Sequence, residues 1–272
     1  MGGHDHGRLL ESLYVQYNSK RHLSDDPLFF VQMFREREDI EIAALLSSSL
    51  AYGNVRTIGQ SVQKVLCAMQ PSPYWFVRSF HPEEWEHRFG SFRHRFSSGE
   101  DIANLLYFMK QIMEGWGSIE HFFMEGYDPG NGIEKALASF SERTLHLDRV
   151  EVPRDAQGRE GTSSFRCRKS NSVAFFFPSP ESGSACKRLN LFLRWMVRKD
   201  NLDLGLWTRI SKSELVIPVD THIAEAAQRF GFTRRKNPSW EMALEITEAL
   251  KRFDSDDPVK YDFALCHCRT WP

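Results

Sequence analysis

Apolar residues recur at helical spacing through most of the first half of the chain. Between residues 39 and 69 they return every three or four positions, and Gly53 interrupts the pattern. This spacing predicts two amphipathic helices separated at Gly53. The same spacing predicts further helices over residues 101–113 and 133–145.

The pattern changes after residue 147. Residues 148–183 combine turn-forming residues with mixed charges, and only VAFFF, residues 173–177, has the composition of a strand. We therefore expect an irregular excursion here. Helical spacing returns at residues 185–199, 221–230 and 239–253. Strand signals are too few for a central sheet, so the sequence predicts an all-α fold.

Composition excludes several classes of protein. The 272 residues carry 35 Lys and Arg against 36 Asp and Glu, a net charge of -1, so any attraction for nucleic acid has to be local. Five scattered cysteines indicate reduced thiols and a cytoplasmic protein. No apolar run approaches the roughly 18 residues of a membrane span, and the first residues lack the pattern of a signal peptide. Motifs of nucleotide-binding loops, zinc proteases and serine hydrolases are missing from the sequence.

The segment SELVIPVDTHIAEAAQRFGF places a carboxylate at the predicted start of a helix. Asp220 follows Pro218, and apolar positions from Ile223 onwards form the buried stripe of the helix. One interpretation is an N-cap, which stabilises the helix by about 1 kcal/mol. The other is functional: backbone donors at a helix N-terminus keep a carboxylate ionised, and a fixed anion beside a cleft stabilises a developing cation. The sequence leaves both open.

A basic helix is predicted within residues 182–199, which contain no acid. Its cations are Lys187, Arg188, Arg194, Arg198 and Lys199. Because Lys187, Arg194 and Arg198 fall on one helical face, they are candidates to contact successive phosphates. Lys187 lies in the first turn beside Arg188, where the helix dipole and the neighbouring charge favour the uncharged, nucleophilic amine. The alternative is an ordinary solvated basic face.

These segments resemble the helix-hairpin-helix DNA glycosylases, the group that includes endonuclease III and the 8-oxoguanine glycosylases. VIPVDTHIAEAAQRF resembles their VDTH-type segment, which implies that Asp220 is the catalytic carboxylate and His222 the histidine that commonly follows it. Lys187, after the turn SGSAC, would be the lysine that forms a Schiff base. IAALLSSSLAYGNVRTIGQSVQKVL is similar to an early helix pair in which the loop from Ser49 to Asn54 would probe the DNA opposite the target base.

A nearer resemblance spans most of the chain. GSACKRLNLFLRWMVR, VDTH and DPVKYDFAL closely resemble a bacterial family of unknown function that has been associated with this superfamily. The sequence departs from the superfamily in three places: its Gly-x-Gly hairpin is not clear in SPESGSAC, Lys187 and Asp220 are 33 positions apart, and the ending CHCRTWP differs from the usual tail. The cysteine run of the iron–sulfur branch is also missing, so no cofactor and no metal are expected.

The resemblance implies a fold and an activity. We expect residues 1–272 to form one domain, with helical lobes at about 1–147 and 184–272, an excursion at 148–183, and a cleft between the lobes. The implied activity is excision of a damaged base from DNA, with an oxidised base as one candidate, together with AP-lyase cleavage of the strand. Arg188, Arg194 and Arg198 would contact phosphates. The partner would be damaged duplex or single-stranded DNA, bound by a monomer at the bacterial nucleoid.

Aromatic side chains are candidates for the wall of a base pocket, with burial in the core as the alternative. The candidates are Trp195, Trp207, Trp240, Tyr261 and Phe263. In DDPVKYDFAL, Tyr261 and its polar neighbours Lys260 and Asp262 either read a base edge or form local ion pairs.

Two other functions compete with catalysis on DNA. His4, Asp5 and His6, extended by His87 and His94, would form a metal site. Alternatively the same scaffold binds DNA without catalysis, and Lys187 serves only as a phosphate contact.

Overall fold

Helices dominate the computed structural model of the protein, which describes residues 3–24, 26–147 and 171–268. The first part contains α1 (Gly3–Tyr17), α2 (Leu28–Val31), α3 (Arg37–Ser49), α4 (Val55–Ala68), α5 (Pro73–Ser79), α6 (Trp85–Phe89), α7 (Gly99–Trp116), α8 (Ile119–Met124) and α9 (Gly132–His146). The second contains α10 (Asn171–Phe176), α11 (Lys187–Val197), α12 (Thr221–Arg229), α13 (Trp240–Lys251) and α14 (Asp262–His267). Five short 3-10 helices occur at Lys20–His22, Pro82–Glu84, Pro180–Ser182, Lys212–Glu214 and Pro258–Tyr261. The predicted all-α class is confirmed.

The strands of the described residues form one small hairpin. β1 (Arg93–His94) pairs with β2 (Ser97–Ser98) in antiparallel register, with His94 opposite Ser97. No strand pattern in the sequence predicted this hairpin.

The predicted break between the first two amphipathic helices is confirmed. Gly53 has φ +98°, a conformation that glycine adopts without the steric cost of a Cβ. Asn54 then caps α4, since its side chain accepts a hydrogen bond from the Arg56 amide. The predicted helix at residues 101–113 corresponds to α7, which begins with a capping box between Ser98 and Asp101.

The strand predicted from VAFFF is wrong. These residues belong to α10 and its end, and Phe176 and Phe177 are buried. The Phe177 ring lies 6.0 Å from that of Phe140 in α9. A short apolar run fits a strand or a buried helix equally well, and here the neighbouring elements, α7 and α9, are helices. Residues 148–170 of the predicted excursion lie outside the described residues.

One hydrophobic cluster joins helices from both halves of the sequence. α11 packs against α3, and α1 packs against α14. In the cluster, the buried Glu41 carboxylate of α3 accepts hydrogen bonds from Trp207 Nε1 (2.9 Å) and the Ile119 amide (2.8 Å). The packing of α11 on α3 brings the first residue of α11 to the loop between α3 and α4. The division into lobes stays a prediction.

In the part of the chain that the structure describes, no helix combines the length and the apolar character that a membrane span requires.

Candidate active site

The carboxylate of Asp220 occupies the N-cap of α12. The preceding residues, Leu215 to Val219, are buried and lead the chain to the helix in extended form. Asp220 Oδ1 accepts hydrogen bonds from the amides of His222 (3.0 Å) and Ile223 (3.1 Å). The predicted N-cap is therefore confirmed. Two amide donors fix one oxygen and leave Oδ2 directed elsewhere.

That second oxygen faces Lys187, the first residue of α11. Lys187 Nζ lies 3.7 Å from Asp220 Oδ2 and donates a hydrogen bond to the carbonyl of Ala51 at 3.0 Å. The side chains of Lys187 and Asp220 are 26% and 29% exposed, so the pair is reachable from solvent. Cys186, just before Lys187, has φ +47°, an uncommon value for a residue with a Cβ that sets where α11 begins. The structure thus brings the two predicted catalytic residues together.

Arg188 is fixed by aromatic and backbone contacts. Its guanidinium carbon lies 3.7 Å from the centre of the Phe175 ring, and its nitrogens donate to the carbonyls of Ser49 and Phe175. Burial lowers the pKa of Arg188 to about 10, with the nearby Tyr52 and Cys186 opposing the shift. Arg188 therefore brings a positive charge next to Lys187, and its phosphate contact stays a prediction.

The predicted phosphate contacts of Arg194 and Arg198 are corrected by the structure. Both residues are only 2% exposed, on the buried face of α11, and a DNA phosphate cannot reach them. Each is surrounded by carboxylates. Arg194 pairs with Asp203 and Asp262, and Arg198 pairs with Asp200, Asp203 and Asp257. The face that the sequence suggested for DNA instead holds a buried charge network.

The buried network raises the pKa of two arginines and of two aspartates, for different reasons. Burial by itself lowers the pKa of Arg194 and of Arg198, but the aspartates outweigh it and raise both values, so the guanidinium groups stay charged. Burial raises the pKa of Asp203 to about 6 although both arginines oppose the shift. Burial also raises the pKa of Asp262, with Arg194 opposing it and the Asp220 charge adding to it. The network therefore extends electrostatically to the Lys187 and Asp220 pair.

Two predicted substrate contacts are also wrong because the side chains are buried. Tyr261 is 0% exposed, and its hydroxyl donates to the Glu11 carboxylate. Its neighbour Lys260 pairs with Asp254 and Glu11, which is the ion-pair alternative. Ser49 is 1% exposed, and only its carbonyl faces the site, as an acceptor for Arg188.

The other two predicted substrate contacts remain available at the surface. Asn54 is exposed beside the loop whose Ala51 carbonyl binds Lys187. His222 is exposed in the first turn of α12, two residues after Asp220. Both stay predictions.

The remaining aromatic candidates belong to the core. Trp195, Trp207, Trp240 and Phe263 are all buried within the main hydrophobic cluster. Burial in the core, the alternative interpretation for these residues, is confirmed.

Cys266 was missed by the sequence analysis. Its side chain is exposed, yet surrounding protein raises its thiol pKa, with Asp220 and Asp262 adding to the shift and Lys187 opposing it. No local sequence pattern marks this cysteine, because α14 meets α12 only in the folded chain.

The proposed histidine metal site gains no support. His94 is fully buried, and its ring nitrogens contact Ser61 Oγ (2.9 Å) and the Tyr52 carbonyl (3.1 Å). His6 packs its ring against Phe230 and Phe232. Among the side chains that the structure describes, no three His, Cys, Asp or Glu residues are grouped as metal ligands.

Comparison with known proteins places the chain in a family. Residues 26–270 match the family described as "Protein of unknown function (DUF2400)", and the chain belongs to it. The search found no match among the curated proteins and none among the solved structures. The description of the family names no activity, so the resemblance to the glycosylases remains a prediction.

Proposed function

We propose that the protein is a DNA repair glycosylase with AP-lyase activity, which excises a damaged base through a Schiff base on Lys187. The observation that carries the proposal is the approach of Lys187 Nζ to Asp220 Oδ2, at 3.7 Å. A primary amine beside a carboxylate, both open to solvent, is the pair that this chemistry needs. The resemblance described above, and not the geometry, supplies DNA as the substrate.

The reaction assigns one role to each residue. Lys187 Nζ forms a bond to C1′ of the deoxyribose as the N-glycosidic bond breaks, and the electron pair of that bond leaves with the base, which takes up a proton. The positive charge that develops on the sugar is stabilised by the Asp220 carboxylate. Because α12 amides hold Asp220 Oδ1, the anion needs little reorganisation when this charge appears.

Proton transfer and strand cleavage follow from the same pair. The attacking amine has to be uncharged, and Asp220 Oδ2 is placed to accept its proton after a movement of less than about 1 Å. Opening of the sugar gives the imine on Lys187. Loss of a proton from C2′ then breaks the C3′–O bond, and the 3′ phosphate leaves. A strand break is the expected product.

DNA has to be held without Arg194 and Arg198. Two exposed cations lie at the loop between α3 and α4: Arg56, in the first turn of α4, and Arg95, in the hairpin turn, whose side chain approaches Gly53. Together with Arg188 they are the phosphate contacts that we propose. A base inside a duplex is out of reach of Lys187, so the nucleotide has to leave the stack. We include in the proposal that a monomer acts on the bacterial nucleoid, in the cytoplasm, with an oxidised base as one candidate substrate.

A second candidate is a DNA-binding module without catalysis. The hydrogen bond from Lys187 Nζ to the Ala51 carbonyl favours it, because it gives the amine a structural role in fastening α11 to the loop after α3. The two candidates differ in what Lys187→Gln removes. Catalysis predicts retained binding with lost turnover, whereas binding alone predicts weaker affinity and a smaller salt dependence.

Borohydride trapping separates the candidates. The protein is incubated with labelled duplexes that carry 8-oxoguanine, uracil or an abasic site, and reduction converts any imine into a stable covalent complex. The wild type should give a complex with at least one duplex, and Lys187→Gln and Lys187→Arg should give none. Lys199→Gln is the matched control, since this exposed lysine follows the opposite end of α11. Normal binding of every duplex without any covalent complex would sink the catalytic proposal.

A further inference from the structure

An aromatic ring projects from the turn of the hairpin formed by β1 and β2. Phe96 is 65% exposed, and the preceding Arg95 adopts φ +53°. Hydrogen bonds hold the base of the hairpin. Below the turn, the Tyr52 hydroxyl contacts Ser97 Oγ (2.6 Å) and the His94 carbonyl (3.1 Å). The buried His94 ring is held in turn by hydrogen bonds, as described above. These contacts hold the residues on either side of the turn from which Phe96 projects.

Phe96 forms a triangle of rings with Tyr52 and Phe175. The Phe96 and Tyr52 rings are stacked with centres 5.2 Å apart and an interplanar angle of 18°. Phe175 meets both rings edge to face, at 5.0 Å from Phe96 and 5.1 Å from Tyr52. Of the three residues, Phe96 alone is exposed; the other two are partly buried. Protein rings cover one side of Phe96, and the rest of it faces solvent.

The triangle is continuous with the candidate active site. Arg188, which follows Lys187, lies against Phe175 and 5.6 Å from the Tyr52 ring centre. Tyr52 follows Ala51, whose carbonyl binds Lys187. The Arg95 guanidinium carbon is 5.9 Å from the Phe96 ring centre, and no carboxylate among the described residues pairs with it. Exposed aromatic surface with cations beside it is the composition of surfaces that bind unpaired nucleic acid strands.

We propose that Phe96 is a platform on which one DNA base stacks where the base stack of the substrate is interrupted next to the excised nucleotide. A ring that intercalates between two bases needs both faces free. Because Tyr52 already stacks on Phe96, the ring accepts a base on one face and ends the stack. Arg95 and Arg188 neutralise phosphates on either side of that base. The ligand is thus a DNA strand with an unpaired or interrupted stack, and this assignment rests on the proposed function.

Binding measurements test the platform independently of catalysis. Fluorescence anisotropy gives Kd for a duplex with a central tetrahydrofuran abasic analogue, which cannot form an imine, and for the same duplex intact. Phe96→Ala should weaken binding to the abasic-analogue duplex by about tenfold and leave the intact duplex within about twofold, whereas Phe96→Tyr should bind like the wild type. The matched control is Trp75→Ala, which removes an aromatic side chain of similar exposure, 64%, on α5.

The outcomes separate the two proposals. Equal affinity of Phe96→Ala and wild type for the abasic-analogue duplex would overturn the platform, even where Lys187 is trapped. An equal loss with Trp75→Ala, or on the intact duplex, would overturn it too and favour a general surface effect. If Phe96→Ala selectively weakens binding to the abasic-analogue duplex but no complex is trapped at Lys187, the platform proposal stands and the catalytic proposal is refuted. Failure to bind either duplex would refute the platform, and it would then favour a protein partner for this surface.

Discussion

Asp220 and Lys187 lie 33 positions apart in the sequence and meet in the fold. The two oxygens of the Asp220 carboxylate have different partners. Oδ1 caps α12 through two backbone amides, and Oδ2 lies 3.7 Å from the lysine amine. The same residue therefore performs the structural role and is placed for the chemical one. These two roles are separable by substitution.

Asp220→Asn should keep the cap and lose the chemistry. Asparagine caps helices about as well as aspartate, so the free energy of unfolding should change by less than about 1 kcal/mol. Turnover on damaged DNA should fall by about 100-fold or more, because the amide cannot stabilise a cation as an anion does. Single-turnover strand cleavage and urea unfolding provide the two measurements.

Ser239→Ala is the control for the cap alone. Ser239 caps α13 by accepting a hydrogen bond from the Met242 amide at 3.2 Å. Its loss should lower stability by about 1 kcal/mol without changing turnover. If Asp220→Asn retained full turnover, Asp220 would be a structural cap only.

Arg198→Met should destabilise the fold without changing how DNA binding responds to salt. The substitution removes one cationic partner from each of the buried Asp203 and Asp257, which should cost about 3–5 kcal/mol in urea unfolding. The exposed Arg56 provides the contrast. Arg56→Gln should preserve stability and reduce the slope of log K against log salt by about 0.9. If Arg198→Met instead reduced the salt dependence of DNA binding and Arg56→Gln instead lowered stability, Arg198 would belong to the DNA-binding surface.

Gly53→Ala should distort the loop between α3 and α4, which contacts both the candidate active site and the hairpin. At φ +98° an added Cβ is strained, and it would lie 2.7 Å from Cδ of Arg95. We expect a loss of at least about 1 kcal/mol of stability and weaker binding of the abasic-analogue duplex.

Gly59→Ala is the matched control for Gly53. Gly59 lies inside α4, and the nearest atom to an added Cβ is in Phe30 at 3.8 Å, an ordinary contact. This variant should gain about 0.5–1 kcal/mol through helix propensity. Equal effects of both substitutions would show that the loop conformation at Gly53 is unimportant.

Ionisation of Glu41 should make the free energy of unfolding change with pH in the opposite sense to that of a surface ion pair. Burial raises the pKa of Glu41, with the hydrogen bonds from Trp207 and Ile119 opposing it. The folded protein therefore holds this proton to higher pH than the unfolded chain does. As pH rises above about 4.5, ionisation of Glu41 costs the folded state free energy. Relative to wild type, Glu41→Gln should become progressively more stable as the pH rises from about 4.5 through the raised pKa of Glu41.

Glu245→Gln should show the reverse trend. Hydrogen bonds from Thr233 and Arg235 lower the pKa of Glu245, so its contribution is present above about pH 4.5 and is lost as pH falls through the lowered value. Compared with wild type, Glu245→Gln should be least stable near neutral pH. The difference in stability between the two proteins should disappear in acid. Urea unfolding across the pH series measures both variants, and parallel curves for Glu41→Gln and wild type would contradict the assignment.

Local sequence signals predicted the helices and the cap of α12 well. Periodicity and a glycine sufficed for α3 and α4, since both features act over a few residues. The Asp220 cap depends on amides two and three residues away, so it too is readable from the sequence. The approach of Lys187 to Asp220 was expected only through the resemblance to the glycosylases.

Features that depend on distant partners were not readable. The cationic face of α11 looks the same in sequence whether water or aspartates surround it, and Asp257 and Asp262 lie 59 and 68 positions from the arginines that they pair with. The Phe96 platform also depends on residues that are distant in sequence, because Tyr52 lies 42 positions from His94 and still holds the hairpin. In both cases the fold creates an environment that no local pattern specifies.

The site of covalent attachment tests the central claim most directly. Wild-type protein is trapped with borohydride on the abasic-site duplex, digested, and the modified peptide is sequenced by mass spectrometry. We expect a reduced sugar adduct on Lys187, and no adduct on Lys199 or Lys212. An adduct on another amine, or none on protein that binds the duplex normally, would contradict the assignment of Lys187 as the nucleophile.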